Sequence, residues 1–148
     1  MMDTKNIHSM SLIKRISIII FSALILTACG AKKEKLPEKA AEKFAKAVYN
    51  SHDIDEMKQH SNEKMTTLIG HYRSIKMIQR NIMELSLEPP VKIEVKSVGG
   101  DFFRKSKKDT KVELHIRGQY NGGIKADDRF LLMTWIDGSW KVKRVSKY

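Results

Sequence analysis

The side chains able to do chemistry in this 148-residue sequence are one cysteine, five histidines and 17 carboxylates. Two histidines four residues apart on a helix would converge on one metal ion, but His60 and His71 are not so spaced, and no Cys/His group has zinc spacing. Asp53-Ile54-Asp55-Glu56 lacks the glycine and the spacing of a calcium loop and reads as a helix start, where carboxylates meet unbonded N–H groups. Asp127-Asp128 stands beside Arg129 after a glycine-rich turn and reads as the shoulder of a hairpin. No serine occupies a nucleophile elbow and no glycine run has phosphate-loop spacing. His115 falls on a strand and alternates outward, which makes it a surface or interface group or, alternatively, a site residue. The residues imply no catalytic group, no metal and no cofactor.

Cys29 remains, and its setting is informative. Lys5, Lys14 and Arg15 precede the run ISIIIFSALIL from Ile16 to Leu26, eleven residues long. That is the length of a secretory apolar segment and well short of the roughly 20 residues that span a bilayer. Leu26-Thr27-Ala28-Cys29 follows and resembles the bacterial lipobox. The resemblance implies cleavage between Ala28 and Cys29 and acylation of the Cys29 thiol and new amino terminus. Several acyl chains anchor stably where one is marginal. It also implies an extracytoplasmic place for the protein: the outer membrane of a two-membrane cell, since Gly30 stands where the inner-membrane retention signal has an Asp, or the outer face of a single cell membrane. A lone thiol cannot form an internal disulfide, so the fold must rest on its apolar core.

The formal net charge is +11. Removing residues 1–28 takes away Lys5, Lys14, Arg15 and Asp3, leaving 25 basic and 16 acidic side chains over 120 residues, a net of +9. Gly30 to Leu36, GAKKEKL, is a short basic tether whose Lys32, Lys33 and Lys35 suit anionic headgroups. The balance fits a membrane reached by the lipid anchor, an anionic lipid or wall polymer, or an acidic protein partner. Nucleic acid is disfavoured by the export signal and by the lack of a stacked-aromatic motif. Lysines alternating along strands also serve solubility by discouraging edge pairing.

The elements that must position these groups divide by period. Pro37 opens an amphipathic helix with Ala40, Ala41, Phe44, Ala45 and Val48 inward, ending near Asn50. Asp53 and Glu56 have capping-box spacing for a short helix, Ile54 to His60. Ser61 is expected to cap a third, longer helix with Met65, Leu68, Ile69, Tyr72, Ile75, Ile82 and Met83 on one stripe. Gly70 offers a break in it, and Pro89-Pro90 ends it. Beyond the prolines the period becomes two: Val91, Ile93 and Val95, then Val112, Leu114 and Ile116, read as half-buried strands. Gly99-Gly100, Asn121-Gly122-Gly123 and Asp137-Gly138 mark turns, Lys105 to Asp109 a solvated loop, Phe130 to Ile136 an inner strand, and Trp140, Val142 and Val145 the last one. The expectation is an α+β fold, N-terminal helices packed on a curved antiparallel sheet of about four strands, in a domain of residues 37–148 behind a leader (1–28) and a tether (29–36).

This order, closing on the hairpin Trp135 to Val145 with its Asp137-Gly138-Ser139-Trp140-Lys141-Val142 signature, is similar to the cystatin-like superfamily of nuclear transport factor 2-like and SnoaL-like domains. Small lipoproteins of unknown function with this layout are common there. The resemblance implies a curved sheet forming a pocket or groove with the helices, and no catalytic residue. A lipid-anchored binding or envelope-assembly module is the expected function, and a small-pocket enzyme or ligand carrier the alternative. If Phe130, Leu132 and Ile136 face the helices, then Leu131, Met133 and Trp135 face away. They would form an interaction surface for a protein partner or a second copy, rimmed by His115, Arg117 and Tyr120.

Overall fold

The structure, a computed structural model, describes residues 36–99 and 108–147. Ala28, Cys29, the leader and most of the tether lie outside the described residues, as does most of the Lys105–Asp109 loop. No described helix is long and apolar enough to cross a membrane. The described residues run through four α-helices, α1 (Pro37–Lys46), α2 (Ile54–Gln59), α3 (Glu63–Tyr72) and α4 (Ile75–Asn81), into four strands, β1 (Glu88–Gly99), β2 (Asp109–Tyr120), β3 (Gly123–Ile136) and β4 (Ser139–Ser146). The strands form one antiparallel sheet in the order β1-β2-β3-β4, so the fold is the expected α+β arrangement. Among the described residues, every buried apolar side chain lies between Ala40 and Val142.

Local chemistry accounts for most boundaries. Pro37 begins α1 where its missing N–H has no partner to lose. The helix then loosens into a π-helical turn, Ala47–Ser51, closed by His52 at φ 55°. Asp53 caps α2 by accepting the N–H groups of Asp55 and Glu56, each at 2.9 Å. Two expectations are corrected here. Asn62, and not Ser61, caps α3, accepting Met65 N–H at 2.9 Å, because Ser61 is held in an isolated bridge to Val142 that covers the β4 edge. The anticipated long helix is two helices, broken not at Gly70 but at Arg73, whose φ of 54° turns the chain before Ser74 caps α4. Leu68 consequently lies on the exposed side of α3.

The helical stretch also ends earlier than the prolines, at Asn81, and Pro89-Pro90 belong to β1. That strand is at the sheet edge, where a residue without an N–H is tolerated. Gly118 lets the start of β1 come close: a Cβ there would stand 2.9 Å from Val91 Cγ2 and 3.3 Å from Leu87 Cβ. Asn121-Gly122 and Asp137-Gly138 have positive φ at both positions and make two tight hairpins. The β2–β3 hairpin therefore begins right after Gly122, so Asp127 and Asp128 lie inside β3 and not on a hairpin shoulder. Irregularities in register at Glu88/Lys92, Val95/Ser97 and Leu132/Met133 bend the strands.

Candidate binding face

Register assigns each strand residue to one of two sheet faces, since directly paired residues project to the same side. Val112 pairs with Leu131 and Leu131 with Val145, while Met133 pairs with Val142. Val112, Leu131, Met133 and Val142 are fully buried, as are Leu114 and Ile116, so this inner face is the one the helices cover. Leu131 and Met133 are thus core, which corrects the expected interaction surface. Trp135 shares their side, half-buried in an edge-to-face contact with Trp140 at 5.3 Å. Residues 130–136 are apolar at nearly every position, so alternation within the strand cannot choose a face; the valine partners on β2 and β4 do.

Among the inner positions stands Arg129, 1% exposed. Its Nε donates to the Met83 carbonyl and an Nη to the Glu84 carbonyl at 2.7 Å, and its other Nη pairs with Asp127 at 3.0 Å. The guanidinium thus staples the segment after α4 to the sheet. Tyr49 reinforces it, its hydroxyl donating to Leu85 O at 2.8 Å, and burial pushes that phenol upward. Gln79 accepts Leu87 N–H at 3.1 Å. Met83, Leu85 and Leu87, held this way, are buried under the sheet. Desolvation pushes the Asp127 carboxyl up, but Arg129, the Asp128 N–H and Lys147 outweigh it and hold the group below its ordinary range. A carboxylate so fixed in its ionised form is a poor proton acceptor.

The outer face carries Lys92, Glu94 and Lys96 of β1, Lys111, Glu113, His115 and Arg117 of β2, Asp128, Phe130, Leu132 and Ile136 of β3, and Arg144 of β4. At its centre Glu94, His115 and Asp128 pair in turn across three strands. His115 Nδ1 lies 2.6 Å from Asp128 Oδ1 and Lys96 Nζ lies 2.9 Å from Asp128 Oδ2. Lys96 first, then His115, lowers the Asp128 carboxyl, and Lys92 at 2.6 Å lowers Glu94. With Asp128 ionised, Nδ1 of His115 carries the hydrogen of this bond, and in the neutral ring Nε2 is left as an acceptor. Beyond that charged level Phe130 and Leu132 are half-buried, with Lys111 Nζ 4.4 Å from the Phe130 ring centre. Ile136 is 37% exposed. No described helix packs on this face.

His115 and Arg117 therefore stand on the outer face, across the sheet from Leu131 and Met133, and cannot rim them. Tyr120 ends β2 at the hairpin, 43% exposed, with Lys125 over its ring at 4.9 Å. The structure brings together His115 and Asp128, which sequence spacing kept apart. It adds Phe130 and Leu132 to the open face and Arg129 to the interior. A basic residue directly before the apolar run Phe130–Met133 was the one visible sign of the staple. Among the described residues no group of three His, Cys, Asp or Glu could hold a metal.

No family model matches the sequence, and no curated protein matches it. Solved structures do. The chain is similar to a ketosteroid isomerase-like protein from Erwinia carotovora atroseptica, with 15% identity and a TM-score of 0.50 over 78% of this chain and 94% of that one. It is also similar to an NTF-2-like protein of unknown function from Shewanella oneidensis, with 13% identity and a TM-score of 0.46 over 72% and 91%. A third is the intermembrane-space region of the chloroplast protein ARC6, with 15% identity and a TM-score of 0.45 over 74% and 91%. At such identity the first likeness concerns the fold: helices against a four-stranded antiparallel sheet of the nuclear transport factor 2-like kind.

Proposed function

We propose that this chain is a lipid-anchored extracytoplasmic binding or envelope-assembly module, held by Cys29 and meeting its protein partner through the outer face of the sheet. The observation that supports it most is the contrast between the two faces. The inner one is covered by helices and by the Met83–Leu87 segment that Arg129 fastens, except at its β1 margin, where Val95 and Val98 are exposed, while the outer one sets apolar Phe130 and Leu132 between charged levels with no described helix over them. The favoured partner is a second copy. Phe130 stands at the middle of that face, level with Glu113 on β2 and Ser146 on β4, with Leu132 one level on. A two-fold axis parallel to the sheet along that level sets Phe130 against Phe130, as an isologous contact requires.

The alternative, a small-pocket enzyme or ligand carrier, draws on the ketosteroid isomerase-like neighbour, but the inward Asp127 is held ionised by Arg129 and Lys147. The test uses whole cells producing the full chain. An acyl probe should label the wild type and the Leu132→Glu variant but not Cys29→Ser, and lysine cross-linking should give a dimer in the wild type but not in Leu132→Glu. Equal acyl label on Cys29→Ser sinks the anchor, and equal cross-linking of Leu132→Glu sinks the face.

A further inference from the structure

Charge is not evenly mixed over the described surface. On the sheet, acids stand among the bases: Lys92 pairs with Glu94, Lys96 with Asp128 and Lys143 with Asp109. On α1, Lys39 and Lys46 both pair with Glu42. The α3–α4 helical pair is different. From Lys64 to Met83 there is no acidic residue, and Lys64, Arg73, Lys76 and Arg80 are without an ion pair among the described residues.

The same surface carries apolar groups. Lys64, Thr67, Leu68 and His71 recur at i, i+3, i+4 and i+7 and form the exposed stripe of α3, opposite buried Met65 and Ile69. Lys76, Met77, Arg80 and Asn81 form that of α4, opposite buried Ile78 and Gln79. Leu68 is 38% and Met77 42% exposed. Cations interleaved with outward Leu and Met suit a surface that offers negative charge and hydrocarbon together, which a soluble polyanion does not.

We propose that α3 and α4 form a docking face for an anionic lipid surface. The inference deepens the reading of Cys29 as an anchor and rests on it in one respect. Seven residues, 30–36, separate Cys29 from α1 and reach at most about 25 Å when extended. A domain of this size is about 34 Å across, so an anchored domain is held against the headgroups. The α3–α4 face, where Glu63 at the start of α3 is the one acid on either helix, is the one that gains most from turning toward them.

The test uses residues 34–148, one compact unit that holds every buried apolar side chain among the described residues, and co-sedimentation with vesicles of phosphatidylcholine alone or mixed equally with phosphatidylglycerol. The wild type should bind the mixed vesicles and not the neutral ones. Lys64→Gln, Lys76→Gln and Arg80→Gln combined should weaken binding on the order of 100-fold, at about fivefold per cation removed. Lys39→Gln, Lys43→Gln and Lys46→Gln, which remove the same charge from α1, should cost far less. Leu68→Gln with Met77→Gln should weaken vesicle binding severalfold and leave binding to soluble polyphosphate unchanged. Equal loss in the two triple variants would show net charge and not this face at work, and unchanged vesicle binding by the Leu68/Met77 variant would show a polyanion site; either overturns the proposal. Acyl labelling of Cys29 reports on the anchor separately, so the two ideas fail independently.

Discussion

Phe130 and Leu131 are adjacent in β3 and belong to opposite worlds: Leu131 is fully buried between Val112 and Val145, while Phe130 lies on the outer face beneath the Lys111 ammonium. A one-residue step thus separates core from contact surface, and the same pair of neighbours repeats at Leu132 and Met133. Leu131→Ala should lose about 2–5 kcal/mol, the range for emptying a buried leucine site. Leu132→Ala should lose well under half of that. Urea midpoints of the two variants check this, and equal losses would contradict the assignment of faces.

Arg129 is the second point of leverage. Replacing it with Met keeps the stem but leaves the Met83 and Glu84 carbonyls without their donor, and should cost about 3 kcal/mol. Amide exchange should accelerate first at Leu85 and Leu87, because the staple fastens that segment specifically. Uniform acceleration over the domain would show that the arginine merely fills space.

Two glycines should respond with opposite sign. At Gly70, inside α3, an added Cβ meets nothing within 4 Å, so Gly70→Ala should stabilise by about 0.5–1 kcal/mol. At Gly118 the same methyl would press on Val91 and on Leu87 Cβ, and Gly118→Ala should destabilise. Thermal melting of the two variants decides both.

The carboxyls of Asp127 and Asp128 are held below the ordinary aspartate value of 3.8. A depressed folded-state pKa means the unfolded chain takes up protons first on acidification. The stabilisation from these two groups is therefore complete above about pH 5, falls as pH drops through 3.8 and is gone below their folded values. Asp128→Asn should flatten this acid limb while leaving the neutral-pH fold intact. Urea titrations at a series of pH values read it, and an unchanged slope contradicts the lowering.

The fold was legible because its signals are local. Pro37 at a helix start, Asp53 as a cap and the Asp137-Gly138 turn each act within a few residues, and each lies where expected. What escaped is non-local. The faces of β3 depend on Val112 and Val145, which are distant in sequence, and the meeting of His115 with Asp128 depends on a register set by the Asn121-Gly122 hairpin. Asn62 displaced Ser61 as the cap because Ser61 is recruited by β4, a contact 81 residues away. The break at Arg73 has no glycine to announce it.

Sedimentation velocity of residues 34–148 tests the binding face most directly. The account predicts a concentration-dependent dimer in the wild type that Leu132→Glu reduces to a folded monomer, with far-ultraviolet circular dichroism unchanged. A wild type that stays monomeric at every concentration, or a Leu132→Glu variant that still dimerises, would contradict it.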